Sequence, residues 1–232
     1  MRKIKLLLKQ HVGAPCAAIV KPGDKVEKGT LVATPTGLGA NIFSSVYGTV
    51  EEVTDQAIVI QPDDEQPDKY IPIKKSDSKL EMVKEAGIVG MGGAGFPTDV
   101  KLQPKQKVDT LLINASECEV WLTSDTQEML NCSDDIVRGI EAVLKYTGIP
   151  KCVIGIENNK PECIELLNQK TKDKPAIEVK ALPSVYGTGA ELILIEKCLG
   201  REVPHGGLPA DAGAIVMNVT SVSTLGKYLA TG

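Results

Sequence analysis

Gly90-Met91-Gly92-Gly93-Ala94-Gly95, followed by Phe96-Pro97-Thr98, is the stretch whose composition most plainly serves chemistry, with four glycines in six positions. Each glycine in a helix interior costs about 1 kcal/mol against alanine, so the run belongs to neither a helix nor a strand. Its use is backbone that approaches another group closely, or that turns through positive φ. N–H groups exposed by such a loop can cradle a phosphate or bond the edge of a flavin ring. Pro97 suits the first turn of a helix, whose N-terminus favours anions. The spacing is neither Gly-x-Gly-x-x-Gly nor a phosphate loop ending in Gly-Lys-Ser/Thr. On glycine spacing alone, a tight structural turn and a cofactor loop stand level.

The elements that must position this loop fall into two halves. Residues 1–74 read as a β domain: short apolar runs at Ala17 to Val20, Thr30 to Ala33, Thr49 to Val53 and Ala57 to Ile60 are separated by turn signals such as Pro22-Gly23-Asp24. Pro62 to Asp68 is polar and Pro-rich, a loop or linker, and Lys74-Lys75 continues it as a solvated linker. Residues 75–232 alternate between helical and strand-like stretches. A helix is expected over Lys79 to Ala86. Strands are expected at Thr110 to Asn114, Cys152 to Ile156, Ile177 to Ala181 and Ala214 to Val219. Helical spacing runs through Asp125 to Tyr146, Pro161 to Lys170 and Gly189 to Leu199, with a further helix from near Ser221. This alternation predicts a Rossmann-like parallel sheet covered by helices, with ligands at the carboxyl ends of the strands. The fold class is therefore α/β with a β appendage.

Bulk properties exclude several functions. The 232 residues carry a net charge of -4, and nucleic acid binding needs a basic face. No apolar run reaches the roughly 18 residues that span a bilayer, and Met1 to Lys9 reads as a first strand rather than a leader, so no direct membrane insertion is expected. Six cysteines, at 16, 118, 132, 152, 163 and 198, include no Cys-x-x-Cys pair, so neither a structural metal nor an iron–sulfur cluster is expected in this stretch. Dispersed cysteines fit a reducing cytoplasm. Cys16 and Cys118 read as packing residues; Cys118 lies between two carboxylates, which disfavour a thiolate. Trp121 is expected to pack, and His205 to lie on a surface loop.

At Gly92-Gly93-Ala94-Gly95-Phe96-Pro97-Thr98 with Lys101, the chain resembles the flavin loop of the NADH-binding, FMN-containing subunit of respiratory complex I. The resemblance is closer to the RnfC subunits of ion-translocating ferredoxin:NAD oxidoreductases and to the related PrdC electron-transfer proteins associated with proline reductase. Asn114-Ala115-Ser116-Glu117-Cys118-Glu119 resembles the family's Asn-Ala-x-Glu-Cys/Ser-Glu-Pro motif. Leu182 to Glu191 resembles its Tyr-x-x-Gly-x-Glu motif. Gly200-Arg201-Glu202-Val203-Pro204 and Gly206 to Asp211 match RnfC-type sequence.

The resemblance implies an FMN site built from Gly90, Gly92, Gly93, Gly95, Lys101, Asn114, Glu117, Tyr186, Gly189, Glu191, Asn218 and Ser221. It places Phe96 and Glu119 on the NADH side. Lys101 would neutralise phosphate charge, and Asn114 and Asn218 would bond polar flavin atoms. Met91, Val120, Trp121, Ala190 and Met217 depart from the complex I pattern; they leave the flavin loop intact and bear on the nicotinamide side. The implied function takes hydride from NADH to FMN and passes electrons to a protein acceptor, an Rnf-type complex subunit or a proline reductase component. The implied setting is cytoplasmic, peripheral to a membrane complex.

The N-terminal half, from His11-Val12-Gly13-Ala14-Pro15 through Val20 to Gly29, resembles a barrel-sandwich hybrid related to biotinyl and lipoyl domains. Asn41 to Val50 lacks the lysine a carrier needs, so a docking or packing role is expected instead. RnfC-type chains continue into a ubiquitin-like domain and a cysteine-rich cluster domain, so the chain is expected to be cut short at its C-terminus. The alternative reading is a scaffold or docking subunit that keeps this fold without flavin.

Overall fold

The computed structural model describes residues 2–73, 76, 78–117, 119 and 121–232. Lys74, Lys75, Cys118 and Val120, each given a role above, lie outside the described residues. The chain divides into two compact units, Met1–Asp99 with Thr231–Gly232, and Val100–Ala230.

Among the described residues, the first unit holds seven strands: β1 (Ile4–Leu7), β2 (Cys16–Ala18), β3 (Lys25–Val26), β4 (Leu31–Pro35), β5 (Ile42–Phe43), β6 (Gly48–Val53) and β7 (Ala57–Pro62). They pair antiparallel in two sheets, β1-β7-β6-β3 and β2-β4-β5. With only 3% aromatic residues in the chain, small and aliphatic side chains fill the interior: Val26, Val32, Ala33, Val50, Ile58 and Ile60 are buried. The two-residue strands β3 and β5 escape sequence reading because a pair of residues has no alternation to detect. The loop after β7 is held down: Gln66 bonds both the N–H and the carbonyl of Tyr47. Helix α1 (Lys79–Glu85) follows.

The chain next enters α2 (Thr98–Lys101). The second unit continues through β8 (Thr110–Ala115), α3 (Ser124–Asn131), α4 (Ser133–Thr147), β9 (Lys151–Glu157), α5 (Pro161–Thr171), β10 (Ile177–Leu182), α6 (Glu191–Leu199), β11 (Ala214–Asn218) and α7 (Val219–Thr231). Its sheet is parallel, in the order β10-β9-β8-β11. Leu111, Leu112, Ile113, Ile154 and Ile156 are wholly buried, as a parallel sheet covered on both faces requires. Strand order reverses between β8 and β11, which makes a crevice at their carboxyl ends.

Helix boundaries differ from the sequence reading at three points. The expected helix from Asp125 to Tyr146 is two helices, broken at Cys132, whose φ of -129° and ψ of 27° leave the helical region. The expected strand to Val219 stops at Asn218, because the Asn218 side-chain oxygen accepts the N–H groups of Thr220 and Ser221 and starts α7 at Val219. Gly189 lies in a turn before α6, where the Thr188 hydroxyl bonds the carbonyls of Pro183 and Val185. Helices α4 and α7 cross at glycines: a Cβ on Gly139 would lie 2.0 Å from the Val222 carbonyl oxygen, and one on Gly226 would lie 1.9 Å from that of Asp135. Among the described residues, no helix is long and apolar enough to cross a membrane.

Candidate flavin site

The glycine loop is closed at its base. Val89 and Pro97 form an antiparallel bridge, the Gly90 N–H donates to Phe96 O at 2.8 Å, and the Thr98 N–H donates to Ile88 O at 3.0 Å. Between these rungs, Gly92, Gly93 and Ala94 are exposed. The four glycines separate by cause. Gly92 and Gly95 have positive φ, at 78° and 68°. Gly90 and Gly93 do not, and a Cβ on Gly93 would meet nothing within 4 Å, while one on Gly90 would make ordinary contact with Phe96 at 3.5 Å. Backbone and packing therefore leave the missing side chain of Gly93 unexplained. Open space at an exposed glycine is what a ligand lying against the loop requires.

In the second unit the remaining residues gather at the carboxyl ends of the strands. Asn114 and Asn218 are register partners, the last pair between β8 and β11. Asn114 donates to Gly189 O at 2.8 Å and accepts from the Ser116 N–H at 3.1 Å. An amide side chain offers two hydrogens and two lone pairs, so one of each remains for a ligand. Asn218 donates to Asp125 Oδ2 at 2.7 Å, and its oxygen is taken by the α7 cap, which leaves one N–H. Lys101 Nζ donates to Val216 O at 2.9 Å and meets Glu191 Oε1 at 3.1 Å. Lys101 thus joins Glu191 to the middle of β11. Ser221 is buried one turn into α7. Tyr186 is 79% exposed and Glu119 lies on the surface.

Glu117, which the resemblance puts on the flavin side, is also bonded within the chain. Its carboxylate accepts the N–H groups of Asp125 and Thr126 and the Thr126 hydroxyl, and pairs with Lys160 at 3.5 Å. The side chain is only 3% exposed. Burial alone would raise its pKa, but these hydrogen bonds and the lysine outweigh burial and hold it below the ordinary value of 4.5. Glu117 therefore pins the start of α3 and the loop after β8. Its own N–H donates to Glu157, a buried carboxylate at the end of β9. Burial pushes Asp125 up, helped by the neighbouring Glu117 and Glu128 carboxylates and opposed by bonds from Thr220 and Asn218. The lowered pKa of Glu117 carries a pH signature: its stabilisation is complete above the unfolded value and is lost as pH falls through the lower folded value. Glu117→Gln should cost about 1–3 kcal/mol at neutral pH. The gap from the unaltered chain should shrink below pH 4.5. Urea unfolding at the two pH values measures both; a gap that does not depend on pH would show that the carboxylate charge has no part.

Three residues escaped sequence reading. The Ser116 hydroxyl is buried with no hydrogen-bond partner among the described residues. It lies between Asn114 and Glu117, just past β8, so an acceptor or donor on a bound group would satisfy it. Asp125 orients the Asn218 amide, and Glu157 anchors the loop that holds Glu117. No spacing rule reaches these, because each acts across elements far apart in sequence. Trp121 corrects an expectation: it does not pack but is 95% exposed, with a positive φ of 69°. Cys16 is buried, as expected.

Within the second unit, the unpartnered Ser116 hydroxyl, the spare amide valences of Asn114 and the Lys101 cation suit a polar group that carries a phosphate, as FMN does. Residues 83–227 match the family model of the Nuo51 FMN-binding domain, and residues 1–75 match that of the RnfC barrel sandwich hybrid domain. Together they define a barrel-sandwich domain joined to an FMN-binding α/β domain. The chain belongs to the RnfC family. It is 42% identical to the RnfC-type component of the proton-translocating ferredoxin:NAD(+) oxidoreductase complex of Clostridium ljungdahlii, over 94% of this chain and 51% of that protein. It is 39% identical to the corresponding component of the Na(+)-translocating ferredoxin:NAD(+) oxidoreductase complex of Acetobacterium woodii, over 96% of this chain and 54% of that protein. The corresponding component of the ion-translocating oxidoreductase complex of Vibrio cholerae serotype O1 is 35% identical over 99% of this chain and 32% of its own length. The chain thus spans about half the length of the first two relatives. A chain of the NAD+-reducing NiFe-hydrogenase in the air-oxidized state superposes with a TM-score of 0.58 at 22% identity, over 67% of this chain and 30% of that one, which shows a shared fold.

Proposed function

We propose that the chain binds FMN and transfers electrons between NADH and a protein acceptor as part of an ion-translocating oxidoreductase complex. The observation that carries this reading is the register of Asn114 against Asn218 at the carboxyl ends of the two strands where the sheet order reverses. That is where open parallel sheets bind ligands. When bound, FMN accepts an electron pair as hydride and gives electrons up again. The protein's part is to bind, orient and shield. Lys101 supplies positive charge for the phosphate, while Asn114, Ser116 and Asn218 offer hydrogen bonds to polar flavin atoms. Gly90, Gly92, Gly93 and Gly95 let backbone approach. Glu117, Glu157 and Asp125 act behind these residues as positioning groups. Tyr186, Gly189, Glu191 and Ser221 complete the flavin side in this reading, with Phe96 and Glu119 toward the nicotinamide.

The names of the relatives favour ferredoxin-linked electron exchange over a proline reductase component as the acceptor route. We place the chain on the cytoplasmic side, peripheral to such a complex. We assign no iron–sulfur cluster to this stretch, given its dispersed cysteines. The test is direct. Protein reconstituted with excess FMN and then desalted should keep a visible flavin spectrum, and NADH should bleach it under anaerobic conditions. A colourless product after reconstitution refutes flavin binding and leaves the scaffold reading. Retained colour that NADH does not bleach refutes the donor assignment only.

A further inference from the structure

The glycine loop is held at both ends by residues of the barrel-sandwich domain. At its exit, the Gly95 carbonyl accepts the Val12 N–H at 3.3 Å. The approach there is close: a Cβ on Gly95 would lie 3.0 Å from Gln10 O and 3.1 Å from His11 Cα. Val12 is fixed by the buried His11 ring. The Ala40 N–H can only donate, and it donates to His11 Nε2 at 3.2 Å. The ring proton therefore sits on Nδ1, where it donates to Val12 O at 3.1 Å. The Cys16 thiol closes the cluster, 3.3 Å from Nε2 and donating to Ala40 O at 3.2 Å. At the entry to the loop, Asn41 Nδ2 donates to Glu85 O at 3.1 Å. Gly87, with φ of +66°, passes so close to Asn41 that a Cβ would lie 2.5 Å from its carbonyl oxygen.

A chain of contacts therefore runs from Ala40 through His11 and Val12 to Gly95, and a second from Asn41 to the turn after α1. Between these two anchors, the Val89–Pro97 bridge and the N–H bonds of Gly90 and Thr98 close the base of the loop. We propose that the barrel-sandwich domain is the frame that sets the conformation of the flavin loop, with His11 and Asn41 as positioning residues for FMN. This rests on the flavin reading above. It gives the domain a task other than carrying a swinging lysine: Asn41, which opens the stretch where a carrier would place that lysine, holds the turn that leads into the loop.

The test compares FMN affinity, by quenching of flavin fluorescence, with thermal unfolding of the same samples. His11→Ala should weaken FMN binding by about tenfold or more, and Asn41→Ala by several-fold. His11→Gln, which keeps an acceptor within reach of the Ala40 N–H, should stay within about threefold of the unaltered chain. Val32→Ala, which hollows the barrel core away from the loop, should lower the melting temperature and leave affinity unchanged. Amide hydrogen exchange at Gly90 and Thr98 should speed up in His11→Ala but not in Val32→Ala. If His11→Ala does not fold, Asn41→Ala and His11→Gln carry the same comparison. Equal FMN affinity in the unaltered chain, His11→Ala and Asn41→Ala overturns the frame and leaves the flavin reading standing. A fall in affinity in Val32→Ala as large as in His11→Ala also overturns the frame, because general destabilisation then explains both. No FMN uptake by the unaltered chain overturns both proposals.

Discussion

Gly93→Val should abolish FMN retention while leaving the fold intact. A Cβ at this position meets nothing within 4 Å, and the residue does not occupy the left-handed region. An added side chain at an exposed, unstrained site usually changes stability by less than about 0.5 kcal/mol. Replacing glycine where φ is ordinary can even stabilise, by restricting the unfolded chain. A ligand lying against the loop would meet the new isopropyl group directly, and an affinity loss of about a hundredfold corresponds to roughly 2.7 kcal/mol. Gly95→Ala is the contrasting variant. Its φ of +68° and the 3.0 Å approach to Gln10 O make the change costly for the protein itself, by about 1–2 kcal/mol from the left-handed backbone alone. Flavin fluorescence titration and thermal unfolding, run on both variants, separate a glycine required by a ligand from one required by the fold. Full FMN affinity in Gly93→Val would remove the loop from the site.

How much of this was legible in sequence depends on the range of each interaction. The glycine loop was legible because positive φ, turns and the effect of Pro97 are local. The barrel's longer strands and the four parallel strands were legible from apolar runs bounded by turn signals. The break at Cys132 was hidden because the helical period runs through it: Met129, Ser133, Ile136, Val137 and Ile140 are all buried at helical spacing on either side. Asn114 and Asn218 were found only by resemblance. That they face each other in register is a property of strand pairing across more than a hundred residues of sequence, and no local pattern records it. The motif that holds Glu117 implies a flavin role, and no local pattern records that its carboxylate also bonds the start of α3 and Lys160. Ser116 is not legible because a lone serine has no signature; its significance is the lack of a partner among the described residues, which only packing reveals. Trp121 was expected to pack because tryptophan usually does. In the structure it stands in solvent beside the loop that Glu117 anchors.

The crossing of α4 and α7 carries the largest expected effect on stability. Gly139 faces the backbone of α7 and Gly226 faces the backbone of α4, so the contact is reciprocal and both helices rely on it. Alanine at either position would put a methyl group about 2 Å from a carbonyl oxygen. Neither obstacle is the tip of a flexible side chain, so the helices themselves must move apart. Helix propensity alone would favour each alanine by about 1 kcal/mol. Overpacking against rigid backbone at about 2 Å, costing about 3–4 kcal/mol and so at or above the top of its usual range, should reverse that sign and leave a net cost of about 2–3 kcal/mol for each variant. For a chain of this size, that corresponds to a fall in melting temperature of roughly 4–12 °C. The double variant should cost less than the sum, because one displacement of α7 relieves both overlaps. The consequence reaches the flavin side, since α7 starts at the Asn218 cap and its first turn carries Thr220, which bonds Asp125 at 2.7 Å. A shifted α7 should therefore weaken FMN binding as well as stability in Gly139→Ala, although Gly139 belongs to no proposed ligand set. Thermal unfolding and flavin titration of the two single variants and the double decide the matter. Alanine variants at least as stable as the unaltered chain would mean that the helices do not cross at this distance.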